Sequence, residues 1–192
     1  MLKTTALIAA FALAGGAALA EPQAYQLDTS HSQIVFDYNH LGFSTTTGMF
    51  GDITGVINFD PEDPAASSVE ASFPVASLMT GFAGRDEHFL SGDFFGSDAA
   101  APEVTFVSTA IEVTGDTTAL ITGDLTLNGV TQSVVLDTTL NQQGTHPMEN
   151  KPWLGFDATT TLLRSDFNLG MFAPAVSDEV EVTISIEAMP QE

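Results

Sequence analysis

Apolar and polar positions alternate with a period of two through most of the chain. In segment 32–40, Ile34, Phe36, Tyr38 and His40 share one face, while Gln33, Val35, Asp37 and Asn39 share the other. That spacing marks a half-buried strand. The same inward parity recurs at Val69, Ala71, Phe73 and Val75, and again at Ala119, Ile121, Gly123, Leu125 and Leu127. It continues at Val134, Leu136 and Leu140, at Leu154, Phe156, Ala158 and Leu162, and at Val180 to Ala188. Segment 45–59 slips phase, with Phe50 on one parity and Ile53, Ile57 and Phe59 on the other. A bulge or sharp coil near Gly51-Asp52 restores the phase. Segment 104–113 is rich in β-branched residues but mixed in pattern. The spacing therefore predicts eight strands, preceded by a short lead-in over 21–27.

Most of the connections are short. Asp60 to Pro64 and Gly115-Asp116 read as turns, and Asn128-Gly129 is a strong hairpin signal. Residues 141–152 and 168–178 read as longer polar loops. One segment departs from strand pattern. Residues 85–95, Arg-Asp-Glu-His-Phe-Leu-Ser-Gly-Asp-Phe-Phe, read as a short helix, with Asp86 and Glu87 in the first turn where the helix dipole favours negative charge. The prediction is an all-β fold: an eight-stranded antiparallel barrel with a helical insert after the third strand. A two-sheet sandwich is the alternative.

The N-terminus changes the picture of location. Lys3 precedes an apolar, Ala-rich run that ends Ala18-Leu19-Ala20 before Glu21-Pro22. This is the pattern of a secretory signal peptide, with cleavage expected after Ala20 and one domain over residues 21–192. The expected location is the periplasm. Cysteine is absent, so neither disulfides nor thiolate chemistry is available. The chain carries 25 carboxylates against four Lys and Arg, a formal charge of −21. Beyond residue 20 the cations are Arg85, Lys151 and Arg164. Such a balance argues against nucleic acid, which is bound through cations on its phosphates, and against anionic headgroups. An outer-membrane barrel is disfavoured as well. The outward parity of the last strand reads Glu179, Glu181, Thr183, Ser185 and Glu187, which no lipid-facing strand tolerates.

Several motifs, in order, resemble a known family. They are Asp28-Thr29-Ser30-His31-Ser32, Gly48-Met49-Phe50-Gly51, the insert with Arg85 to Leu90 and Asp93-Phe94-Phe95, and Pro102 to Phe106. The series ends with Gly123 to Thr131 and Arg164-Ser165-Asp166-Phe167. Together they resemble the YceI family of exported bacterial proteins over residues 24–189. One departure is Asn168, where many relatives carry Gly after the aromatic. The resemblance implies a lipocalin-like barrel whose tunnel binds a polyisoprenoid or similar long-chain amphiphile, as a non-catalytic carrier or store. Fatty amides, fatty acids and quinones are alternative cargoes, and a filled barrel with a metal or stress role is the remaining alternative.

On that reading the tunnel lining is Phe36, Tyr38, Phe50, Phe73, Phe106 and Phe156 of the strands, with His88, Phe89 and Phe94 of the insert. The small inward residues Gly55, Ala71, Gly123 and Ala158 are expected to leave room between the rings. Arg85 and Arg164 are the head-group candidates, and the scarcity of cations favours a neutral head over a diphosphate. His31, His40, His88 and His146 show no metal-ligand spacing, so no metal and no cofactor is expected. Asp28, Ser30, His31 and Ser32 supply triad residue types but no triad geometry, and no nucleophile elbow or zincin motif is present. An enzyme is not expected. The expected partner is a small hydrophobic molecule, with no stable membrane insertion, and the protein is expected to be a monomer or homodimer.

Overall fold

The computed structural model describes residues 22–96 and 103–191. The expected signal peptide at 1–20 lies outside them. Ten antiparallel strand segments account for most of the rest: β1 (Gln23–Leu27), β2 (Gln33–His40), β3 (Ser44–Phe50), β4 (Thr54–Phe59), β5 (Ser68–Pro74), β6 (Glu103–Val113), β7 (Thr118–Leu127), β8 (Val130–Thr145), β9 (Pro152–Leu163) and β10 (Glu179–Pro190). One helix, α1 (Ala83–Phe89), lies between β5 and β6.

The sheet closes on itself. Hydrogen bonding runs β1-β4-β5-β6-β7-β8-β9-β10, and β10 returns to β1 through Tyr25–Pro190 and Leu27–Ala188. That is a closed eight-stranded barrel, and the open sandwich is excluded. β2 prolongs β1 along β10, pairing Asp37 with Glu181 and Gln33 with Ser185, and β3 pairs with β2. The two extra segments are therefore kinks in long strands. One kink is the 3-10 turn Thr29–His31, where the Asp28 carboxylate accepts from the Ser30 N–H. The other is the predicted break, with Asp52 at φ 54°. In β6 the register shifts between Ser108 and Ala110, which explains the mixed pattern there. Asn128 and Gly129 both have positive φ, as a tight hairpin turn requires.

Three expectations about element bounds need correction. Residues 23–27 are a strand that closes the ring, with Tyr25 and Leu27 buried, rather than a lead-in. Five residues are too few to show a period. The polar loop 141–152 is mostly strand: β8 continues to Thr145 past a register shift at Leu140/Gln142, leaving a connection over 146–151. Main-chain pairing holds it there, so the side chains need no apolar face. The helix is displaced and shorter than 85–95, since it spans Ala83–Phe89 and the chain leaves it as turns.

The inward parities hold throughout. Towards the base, the end away from the insert, Tyr25, Leu27, Ile53, Ile57, Phe59, Leu154 and Ala188 pack into one core cluster. Outside, Glu179, Glu181 and Thr183 are exposed. Among the described residues no helix is long and apolar enough to cross a membrane. Two glycines sit beneath aromatic rings. Phe36 lies over Gly48, its partner across β2–β3, and Phe106 lies over Gly123. Gly123 therefore leaves no open room, contrary to expectation, and neither does Gly55, whose missing Cβ admits the backbone of Glu70 and Ala71. A Cβ at Gly123 would lie 2.7 Å from the Val107 carbonyl oxygen and against the Phe106 ring. Gly123→Val is expected to destabilise the fold by about 1–3 kcal/mol, because the ring must leave its rotamer and the strands must shift. Urea unfolding measures this, and an unchanged midpoint would contradict the packing described.

Candidate functional site

The barrel is hollow. A cavity of about 880 Å³ has a wall that is overwhelmingly hydrocarbon, with contributions from β2 to β10, the insert and the 168–178 connection, and from Pro64, Ser67 and Gly115 to Thr117 at the end away from the insert. Such a volume is at the upper end for small-molecule sites. The filled-barrel alternative is thereby set aside. All nine expected lining residues, Phe36, Tyr38, Phe50, Phe73, His88, Phe89, Phe94, Phe106 and Phe156, face this one space, as do Arg85 and Arg164. Ala71 and Ala158 also line it.

The rings form three groups, the smallest joining Phe59 to Phe156 at 6.2 Å and to Tyr25 at 6.5 Å. Phe50 is central to the inner one, with Phe36 at 5.5 Å, Phe73 at 5.0 Å and Phe95 at 6.4 Å between centroids. The outer group runs Tyr38–Phe89 at 6.0 Å, Phe89–Phe94 at 5.2 Å, and on to His88 and Phe172. These distances and tilts suit aromatic pairs. Sequence reasoning missed Phe95, Phe167 and Phe172, which also line the cavity. Phe167 and Phe172 lie in a connection without strand period, so parity held no signal for them.

The insert is fastened from its first turn. The Asp86 carboxylate accepts from the Thr80 N–H at 2.8 Å and hydroxyl at 2.6 Å, while Arg85 Nη1 donates to the Thr80 carbonyl at 3.1 Å. Residue 79 is in turn bridged to Met49 of β3. His88 Nε2 lies 3.1 Å from Asp93, and the ring packs edge-on to Phe94. His88 both lines the cavity and pins the insert.

Arg164 has a different setting from a simple head-group cation. Its Nε donates to the Ser177 carbonyl at 2.9 Å, Nη1 to those of Leu169 at 2.5 Å and Met171 at 3.2 Å, and Nη2 to that of Val176 at 3.1 Å. Four of the five guanidinium N–H groups are thereby engaged with one connection. Partial burial lowers its pKa, opposed by the nearby Asp178 and Tyr38. Asp178 is held below its ordinary range by the Ser165 hydroxyl, then by the Ser165 N–H and Arg164. Asn168, the departure from the family pattern, ends the turn at φ 59°, a conformation Asn tolerates.

Away from the mouth, His31 ties the start of β2. Its Nδ1 lies 2.6 Å from Asp28 Oδ2, and Glu187 lies close enough for the three to offer ligand atoms within 4.8 Å of one another. The hydrogen bond that His31 donates to Asp28, then the charges of Asp28 and Glu187, raise the His31 pKa. Partial burial pushes Asp28 up, but the bonds from His31 and Ser30 outweigh it and hold the carboxyl low. Glu187 also accepts from the Trp153 indole at 2.7 Å. An ion pair between turn and strand accounts for this group. His40 lines the cavity, and His146 packs on Trp153 at 4.7 Å, so the four histidines do not converge.

A family model described as the YceI-like domain matches residues 25–188. This chain belongs to the YceI family. A UPF0312 protein of Ectopseudomonas mendocina is 39% identical over 197 residues, covering 100% of both chains. Among solved structures, BcnA of Burkholderia cenocepacia matches the YceI barrel at a TM-score of 0.75 and 27% identity, over 85% of this chain and 99% of BcnA. A polyisoprenoid binding domain from Saccharophagus degradans, implicated in plant cell wall breakdown, matches at a TM-score of 0.67 over 88% of this chain and 99% of its own. At 14% identity that last likeness is one of fold. The lipocalin-like barrel expected of a YceI protein is what the strand pairing shows.

Proposed function

We propose that the protein is exported to the periplasm after cleavage behind Ala20 and there holds a polyisoprenoid or similar long-chain amphiphile, as a non-catalytic carrier or store. The observation that supports this most is the hydrocarbon-walled cavity within a closed barrel. β9 and β10 each run twelve residues, about 40 Å of strand, or about 30 Å along the axis at a tilt near 40°. A long chain needs that depth. Each methylene removed from water contributes about 0.8 kcal/mol, so a tail of some 20 carbons gains roughly 10 kcal/mol or more before ordering costs. The structural neighbour from Saccharophagus degradans, named as a polyisoprenoid binding domain, has the same fold.

The head of the cargo is neutral. Arg164 is engaged by backbone carbonyls, His88 faces Asp93, and only Arg85 brings a further guanidinium to the cavity. A diphosphate needs more cations than that. Native mass spectrometry of protein isolated from bacterial periplasm, followed by solvent extraction, is expected to show a bound long-chain lipid with an alcohol, quinone or amide head. A fatty acid would correct the head group, and a diphosphate would refute the neutral head. A clean apo mass, with no uptake of offered isoprenoid alcohols or fatty amides, would refute the carrier reading.

A further inference from the structure

The end of the barrel that bears the insert carries exposed apolar side chains. At the base, the β4–β5 connection carries Asp60, Glu62 and Asp63, the β6–β7 turn Asp116, and the β8–β9 connection Glu149 and Lys151. At the insert end, α1 and the turn after it carry Arg85, Asp86, Glu87, His88 and Asp93, and Asp178 and Glu179 stand where β10 begins, but residues 41–43, 79–84 and 169–176 between them contain no titratable side chain. These three stretches adjoin the cavity mouth. The Leu41 N–H donates to the Ala175 carbonyl at 3.0 Å, the Phe172 ring lies 6.3 Å from His88, and Arg85 reaches the Thr80 carbonyl. They present Leu41, Phe43, Met79, Phe82, Met171 and Phe172 to solvent, with Phe43 89% and Phe82 64% exposed. The other exposed large apolar residues among those described are scattered singly, which is ordinary for a surface.

Backbone conformation marks the same place. Among the described non-glycine residues at positive φ, four are Asn or Asp, the types that tolerate it. The other two are Leu41 at 58° and Phe172 at 67°, and both line the cavity mouth. The turn closed by the Phe43 N–H on the His40 carbonyl favours Asn or Gly where Leu41 stands. Local strain is thus accepted in order to set apolar side chains around the opening.

We propose that this uncharged apolar rim docks on the surface of an electrically neutral lipid bilayer, with Phe43 and Phe82 entering the headgroup boundary and the cavity mouth facing the lipid. The inference rests on the long-chain cargo reading, because a tail that leaves a bilayer directly into the mouth is never exposed to water. The occupant is neutral because the net charge of the chain opposes an anionic surface, and beside the rim the single Arg85 is outnumbered by Asp86, Glu87 and Asp93. Rim residues contribute through apolar area alone.

The test is flotation of the full mature chain with phosphatidylcholine vesicles. Wild type is expected to float, and to float less when a third of the lipid is phosphatidylglycerol. Phe43→Asp and Phe82→Asp are each expected to lower partitioning about tenfold or more, at an unchanged melting temperature. Met148→Asp, an exposed apolar site at the base, serves as the control and is expected to change nothing. Absence of flotation, or flotation that survives both rim substitutions, would overturn docking even if extraction yields a lipid. A dimer that dissociates on the same substitutions would place a second copy on the rim and overturn it too. Flotation by a protein that yields no lipid on extraction would support docking and refute the cargo reading instead.

Discussion

Thr160→Phe combined with Val182→Phe is expected to weaken uptake of a long-chain probe by about 100-fold or more while leaving the protein folded. The two positions are directly paired between β9 and β10, and both side chains face the cavity. Two new rings there take the place of the middle of a tail. Excluding some four or five methylenes forfeits about 3–4 kcal/mol, which is two to three orders of magnitude in affinity. Filling a core that is already packed costs stability, whereas filling a cavity does not have to. Titration with a fluorescent fatty amide, alongside a thermal melt, separates the two cases. Wild-type affinity in a folded double variant would show that the tail does not lie in the barrel. A collapsed melting temperature would show that this part of the barrel is packed.

Arg164→Ala is expected to destabilise the protein by about 2–3 kcal/mol and to loosen the cavity mouth. The side chain collects the carbonyls of Leu169, Met171, Val176 and Ser177, all from the connection that brings Phe172, Ala173 and Ala175 to the opening. Removing it leaves partly buried carbonyls without their charged donor, each a fraction of a charged hydrogen bond's contribution. The connection is then held by the Leu41–Ala175 bond, the His40–Val176 bridge and the Ser165–Asp178 pair. Arg164→Lys is expected to recover less than half of the loss, since an ammonium cannot fork over carbonyls on several sides. Urea midpoints give the stability, and the release rate of the fluorescent probe gives the mouth. A Lys variant as stable as wild type would refute the clamp.

How much could be read in advance varies by element. Strand parity placed the inward aromatics of β2 to β9 correctly, including Phe50 on the far side of the break at Gly51-Asp52, because a barrel wall has two faces and one of them is apolar; Tyr25 was missed with its strand. The short strand Gln23–Leu27 escaped, as did the end of β8, because there the pairing is made by main chain and the side chains carry little pattern. The insert was recognisable as an interruption of the strand pattern, but its limits were not. α1 has no side-chain cap, and what holds it is Asp86 reaching back to Thr80. Arg164 was legible as a rare cation close to the mouth, yet its carbonyl partners lie up to 13 residues away in a stretch with no periodicity.

The sequence by itself determined the class of fold, the apolar lining and the absence of charge on three short stretches, because alternation and composition are local properties of a chain. Only the tertiary structure decided that the barrel is hollow. Inward Phe side chains fill a core or line a cavity according to the spacing of the walls and the direction in which each ring turns, and here Phe36 and Phe106 fold back over Gly48 and Gly123. Only the closed ring, likewise, brings residues 41–43, 79–84 and 169–176 to one mouth. Separation along the chain carries no information about which ends of which strands meet, because that depends on the strand order around the barrel and on the β10–β1 pairing that closes it.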